Sequence, residues 1–370
     1  MKAQLASIPF AALLALTACA AHAQSNVSVY GIVDLNIKVV KNDGSPRQVS
    51  MSQDGLYTSE LGFRGVEDLG GGLRAGFNLV STLNADTGTA LGKFWNRRAT
   101  VSLMSDAWGE LRLGRDYVPT FWNNVIFDAF STIGIAGSFN IWQLQAPYAA
   151  SPVFGNVVRS DNAVGYFLPP NLGGLYGHVM AAPSENGSNQ GRYLGLRLGY
   201  NDGRFSTGFS AGQQRFDAAA NPAVTGITAG SHQTTVNAGA SYNFGIAKLM
   251  GLVVHDARDG IKELRWSISA GIPVGVGDVR IAYHNSKLTN DIAHNSNTNA
   301  LFGLGYVHNL SKRTALYTTA GWLQNGDHPL AGNTQSVAGF NALFAGNTQS
   351  APTTVGGESR GIEFGLRHSF

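Results

Sequence analysis

The sequence predicts an all-β fold, a sixteen-stranded antiparallel β-barrel that spans a membrane. Three observations predict it. Long stretches alternate apolar and polar residues with a period of two. Short turns alternate with long polar segments, seven against eight, so fifteen connections join sixteen strands. Charged residues make up only 13% of the 370 positions, half the usual share of about 25%. The 47 glycines are nearly twice the ordinary share of about 7%.

The N-terminus reads as a secretory signal over residues 1–23, ahead of a single barrel domain over 24–370. Lys2 is the only charge before Asp34, an apolar stretch runs from Ile8 to Ala18, and Ala21-His22-Ala23 fits small-x-small cleavage. A competing lipoprotein box, Leu16-Thr17-Ala18-Cys19, leaves little tether before the first strand, so cleavage after Ala23 is preferred. The mature chain then has 347 residues, 25 basic and 23 acidic, with no cysteine. That suits an exported protein without disulfides.

Alternation begins almost at once. Val27, Val29, Val33, Leu35, Ile37 and Val39 oppose Ser28, Tyr30, Asp34, Asn36 and Lys38. Further on, Phe205, Thr207, Phe209 and Ala211 oppose Ser206, Gly208, Ser210 and Gly212. At the end, Ile362, Phe364, Leu366, His368 and Phe370 oppose Gly361, Glu363, Gly365, Arg367 and Ser369. Short turns are expected at 67–72, 105–109, 169–174, 201–203, 243–245, 273–278 and 309–313. Long loops are expected at 41–55, 84–93, 116–158, 183–191, 215–233, 255–263, 285–298 and 325–358, the last holding two copies of AGNTQS.

A barrel answers a physical demand. In hydrocarbon every backbone N–H and C=O must be paired within the protein, and a sheet manages this only by closing on itself. Its outer face must then be apolar while its inner face can meet water, which accounts together for the alternation, the low charge and a mean hydropathy of −0.04. At about 9–11 residues per membrane strand, sixteen strands use roughly 160 residues. That many strands leave an aqueous lumen. The longest uncharged run, 129–158, carries Asn140, Gln143, Gln145, Pro147 and Pro152 and reads as a loop rather than a membrane helix.

Chemistry of other kinds finds no support. His255-Asp256 reads as loop surface, and adjacent strand residues point to opposite faces in any case. The nine histidines show no metal-ligand spacing. Gly275-Val276-Gly277-Asp278 is too short for a nucleotide loop, and no basic stripe suits nucleic acid. No enzyme activity, cofactor or metal is expected. Tyr30, Trp108, Tyr166, Tyr200, Tyr242, Trp266 and Trp322 are candidates for interfacial aromatic girdles.

Seven segments carry a resemblance. They are QSNVSVYG at 24–31, LGFRGVEDLGGGLRA at 61–75, RATVSL at 98–103, WGELRLGR at 108–115, RSDNAVGY at 159–166, LSKRTALY at 310–317 and LRHSF at 366–370. In this order they resemble the general bacterial porins, especially the beta-proteobacterial branch. The resemblance implies a homotrimer in the cell outer membrane, in contact with outer-membrane lipid and lipopolysaccharide. It implies that the third long loop, 116–158, folds into the lumen and narrows it. It also implies that Phe370 is the signal read by the outer-membrane assembly machinery.

In that family, wall arginines oppose acids on the third loop. The matching wall positions are 60, 97 and 159: Arg97 and Arg159 are kept, while Glu60 stands where arginine is usual. Alternation turns Glu60 and Arg64 inward. Between Arg97 and Arg98 it cannot choose, and the resemblance points to Arg97. The loop supplies Asp116 and Asp128 as its acids, with Phe121, Trp122, Phe127, Phe130, Phe139, Trp142 and Tyr148, which are expected to pack the loop against the wall. The implied function is a water-filled channel for passive diffusion of small hydrophilic solutes and ions, weakly charge-selective. The alternative is a substrate-specific outer-membrane channel, suggested by the aromatic loop and by Glu60.

Overall fold

The structure, a computed structural model, describes residues 26–90, 93–144, 157–184, 192–215, 231–329, 335–337 and 352–370. The signal segment, the junction after Ala23, Tyr148 and the second AGNTQS copy lie outside the described residues. Sixteen antiparallel strands form one closed sheet. They are β1 (Asn26–Asn42), β2 (Gln48–Gln53 and Glu60–Gly70), β3 (Leu73–Asn84), β4 (Arg98–Ser105) and β5 (Gly109–Tyr117). Next come β6 (Arg159–Phe167), β7 (Leu175–Ala182), β8 (Tyr193–Asn201), β9 (Phe205–Arg215), β10 (His232–Asn243) and β11 (Lys248–Arg258). The last five are β12 (Ile261–Val274), β13 (Gly277–Asn290), β14 (Asn295–Asn309), β15 (Thr314–Gln324) and β16 (Glu358–Ser369). The two pieces of β2 pair with successive halves of β1, Gln53 opposite Leu35 and Glu60 opposite Ile32, so they form one interrupted strand. Closure comes from β1 and β16, in register from Ile32↔Ser369 to Asn42↔Ser359.

The distribution of side chains is inverted relative to a water-soluble fold. On β1, Val27, Val29 and Ile37 are exposed while Asp34, Asn36 and Lys38 are buried. On β16, Ile362, Phe364 and Leu366 are exposed and Glu363 is buried. Apolar side chains belong on an outer face that meets lipid, and polar ones inside, where the polar neighbours that satisfy them are found. An outward aromatic row crosses neighbouring strands, with Tyr283 opposite Phe302 and Phe302 opposite Trp322. Trp266 lies beside it, its ring 5.5 Å from Tyr283. Of the girdle candidates, Tyr30 belongs elsewhere: its hydroxyl donates to Asn78 Oδ1 at 2.9 Å on the inner face.

The seven short turns fall where expected, all at one end of the barrel. The first carries Gly70, Gly71 and Gly72 at φ of 82°, 62° and 78°, a run that side chains with a Cβ tolerate poorly. At the other end the expected loops need correction. Segment 255–263 is almost all strand, and β11 and β12 meet through Asp259 and Gly260, both at positive φ. Segment 285–298 likewise is strand apart from 291–294. Residues 48–53 of the first expected loop pair with β1. His255-Asp256 is therefore not loop surface: Asp256 points inward and accepts hydrogen bonds from Thr235 at 2.5 Å and Arg265 at 3.0 Å.

Candidate functional site

The inner wall carries a cluster built around Tyr117, the last residue of β5. Arg159 opens β6 opposite Tyr117. Its guanidinium lies 4.4 Å from the Tyr117 ring centroid and donates to the phenol oxygen at 2.8 Å. Arg97 and Arg98 approach the same ring from the start of β4, at 5.9 and 5.6 Å. Such placements are cation–π contacts. Arg97 pairs with Glu60 at 2.8 Å, and Arg98 pairs with Asp116 at 2.7 Å. Arg112 donates to Asp116 at 2.5 Å and to Glu110 at 2.8 Å. Three arginines thus share three carboxylates, and the partner that holds the fourth, Arg159, is a phenol.

These facts place the expected residues. Glu60, Arg97 and Arg159 come together. Arg64 faces inward as expected but stands over Tyr30 at 5.2 Å, four residues further along β2, about 13 Å at roughly 3.3 Å per residue. Asp116 is not on the loop: the ladder between β5 and β6 continues through Asp116↔Ser160 after a bulge at Gly114, so its carboxylate is fastened to arginines of its own wall. Asp128 does lie in the connecting segment, but its carboxylate accepts the backbone N–H groups of Phe130, Thr132 and Ser138 at 2.9, 3.0 and 3.1 Å. It shapes the segment and meets none of the wall arginines. Tyr117, on which the cluster converges, escaped the sequence reading, because its partners lie up to 42 residues away.

The segment after β5 contains two 3-10 turns, Pro119–Phe121 and Ser138–Ile141, and one helical turn, α1 (Trp122–Ile126). It is fastened to the inner faces of strands around the barrel. The Asn123 amide donates to Asn237 of β10 at 2.8 Å, and Arg197 of β8 donates to Asn123 at 2.8 Å. The backbone N–H of Ala129 donates to Ser269 of β12 at 3.1 Å. Two buried glutamates take three of its backbone N–H groups. Glu263 of β12 accepts the N–H groups of Gln143 and Leu144 at 2.8 and 2.7 Å, and the Ser286 hydroxyl at 2.6 Å. Glu363 of β16 accepts the Ile135 N–H at 3.2 Å.

The contacts also need room. A Cβ on Gly239 would stand 2.2 Å from the Phe127 ring, and one on Gly321 would stand 2.5 Å from the Ile135 carbonyl. Small inner-face residues therefore let the segment lie flat on the wall. Phe127, Phe130, Phe139 and Trp142 are buried in this packing, and Phe121 and Trp122 are half-buried. Val337, from the last long connection, joins Ile135 and Ile141 in one apolar cluster with Val40, Leu301 and Leu323. Among the described residues no group of three or more His, Cys, Asp or Glu side chains is arranged to hold a metal ion.

Comparison with known proteins places this geometry in context. A family model described as Gram-negative porin matches residues 11–328. Outer membrane porin protein 32 of Delftia acidovorans is 38% identical over 368 residues, covering 95% of this chain and 96% of the relative. An outer membrane porin protein of Bordetella pertussis is 27% identical, covering 85% of this chain and 93% of the relative. The solved structure of an anion-selective porin from Comamonas acidovorans superposes with a TM-score of 0.77 at 33% identity, covering 94% of this chain and all (100%) of the other. Salmonella typhi OmpF superposes at 0.63 with 14% identity, covering 94% and 98%, a likeness of fold alone.

Proposed function

This chain belongs to the Gram-negative porin family and is an outer-membrane channel for passive diffusion; from that premise we propose that segment 118–144 narrows the lumen beside the Tyr117 cluster and makes the channel weakly anion-preferring. The observation that carries this is the charge tally around Tyr117. Glu60 offsets Arg97, Asp116 and Glu110 offset Arg98 and Arg112, and Arg159 rests on a phenol. An arginine held by a phenol rather than a carboxylate, in a narrow throat, biases ions by sign without excluding either. Glu60 is what keeps the preference weak. The related structure described as anion-selective supports the sign.

Reversal potentials across a salt gradient test this. The expected anion-to-cation permeability ratio is above one and below about ten. A ratio below one, or a ratio far above ten, contradicts the tally. Block of the current by one solute class at low concentration would instead favour a substrate-specific channel. The reading includes a homotrimer, assembly through the terminal Phe370, and no catalytic turnover. Phe370 supports it by pairing its backbone with Gly31 while leaving its ring exposed at the barrel edge.

A further inference from the structure

The two pieces of β2 are separated by an inward turn. Leu35 pairs with Gln53 and Ile32 with Glu60, so two residues of β1 face six of β2, residues 54–59. The extra chain folds over the inner face of β1. Asp34 points inward at 0% exposure, and its carboxylate accepts the N–H groups of Leu56 and Tyr57 at 2.9 and 2.7 Å. The Tyr317 hydroxyl donates to its other oxygen. Ser59 accepts the Asp34 N–H at 3.0 Å on its hydroxyl and donates its own N–H to Asp54 at 2.7 Å. A carboxylate that takes two backbone N–H groups and a phenol holds the turn as one unit.

The turn meets the segment after β5. A Cβ on Gly134 would stand 2.4 Å from the Gly55 carbonyl oxygen and 2.7 Å from Glu363 Oε1. Gly134 takes a φ of 68° there, so glycine suits both the backbone and the space. Segment 118–144 is fastened to β8, β10, β12 and β16, and the turn carries the same inner layer on across β1 and β2. It ends at Glu60, which holds Arg97. Leu56 of the turn packs on Val307, Ala315 and Tyr317. Its neighbour Tyr57 does the reverse and is 45% exposed. On a turn seated against the inner wall of a closed barrel, an exposed ring stands in the lumen. Its phenol is near enough to Glu60 and Arg97 to interact with both charges.

We propose that Tyr57 is a specificity-determining residue of the channel: it tips a second lip of the throat, formed by turn 54–59, and restricts neutral hydrophilic solutes by size. A ring in the water path removes cross-section from every solute, charged or not, so it acts on size rather than on sign. A tyrosine side chain has only two torsions to order, and the bond from its own N–H to Asp34 fixes the backbone behind it, so the obstruction is stiff. The proposal rests on the channel reading above, but not on its charge preference.

The test is swelling of liposomes that carry the mature protein, driven by arabinose or by sucrose, two neutral sugars of different size. In Y57A the sucrose-to-arabinose rate ratio is expected to rise at least about threefold. Y57F keeps the ring and should restore the ratio of the unchanged protein. Y57W enlarges the ring and should lower the ratio, an opposite shift that loosening of the turn would not produce. An unchanged ratio in Y57A overturns the proposal, and so does a Y57W ratio that is not below that of the unchanged protein. If the unchanged protein admits neither sugar, the channel reading itself fails, and the second lip with it.

Discussion

Replacing Glu263 with alanine is expected to unseat the segment fastened to the inner wall and to destabilise the barrel by about 3–5 kcal/mol, the usual result of removing one partner from a buried charged network. Glu263 is fully buried, at 0% exposure, and satisfies two backbone N–H groups and a hydroxyl. Arg265 also lies within 4.0 Å of it. Without the carboxylate, Gln143 and Leu144 lose the acceptors of their backbone N–H groups. Each orphaned donor costs about 1–3 kcal/mol. Glu263→Gln keeps the shape and one acceptor oxygen, so a smaller loss is expected. Urea unfolding of the refolded protein measures the stability change. Single-channel recording measures the other consequence, an open current that is larger and noisier in E263A than in E263Q. Equal, quiet currents in both variants would show that the segment is held by its apolar packing alone.

Replacing Arg159 with glutamate is expected to reverse the ion preference. The change moves the throat by two units of charge at a point 2.8 Å from the phenol that anchors it. A unit charge at 4 Å is worth about 4 kcal/mol at an effective dielectric constant near 20, and screening by the aqueous lumen reduces that. A shift of at least tenfold in the permeability ratio requires only about 1.4 kcal/mol. Arg159→Gln should abolish the preference without reversing it. Glu60→Gln should strengthen it, because Arg97 loses the carboxylate 2.8 Å away. An unchanged reversal potential in R159E would remove Arg159 from the conduction path.

The barrel was legible in the sequence because its two faces meet different solvents. Asp34, Asn36 and Lys38 alternate with Leu35 and Ile37 for that reason, and the structure turns them inward. Legibility ended where both faces of a strand become polar. Beyond the bilayer edge Lys262, Lys287 and Thr289 face outward while Glu263, Ser286 and Asn290 share their strands, so period two vanished and strand looked like loop. Asp116 was misplaced for a related reason: a bulge at Gly114, with φ of 119°, breaks the alternation just before it.

The site was legible only in part. Glu60, Arg97 and Arg159 could be found by resemblance. Tyr117 could not, since a tyrosine at the end of a strand carries no periodic signal and gains its role from arginines on other strands. Nor could the seat of the segment after β5 be read. Its acceptors, Glu263 and Glu363, lie 120 and 228 positions from the N–H groups they receive, and contacts of that range leave no mark in local pattern.

The most direct test of the whole account is conductance of the purified mature protein in a planar lipid bilayer. A closed cylinder with a continuous water path, narrowed but open beside Tyr117, predicts discrete current steps of uniform size that scale with salt concentration. Folded, β-rich protein that inserts into the bilayer yet produces no steps would contradict it.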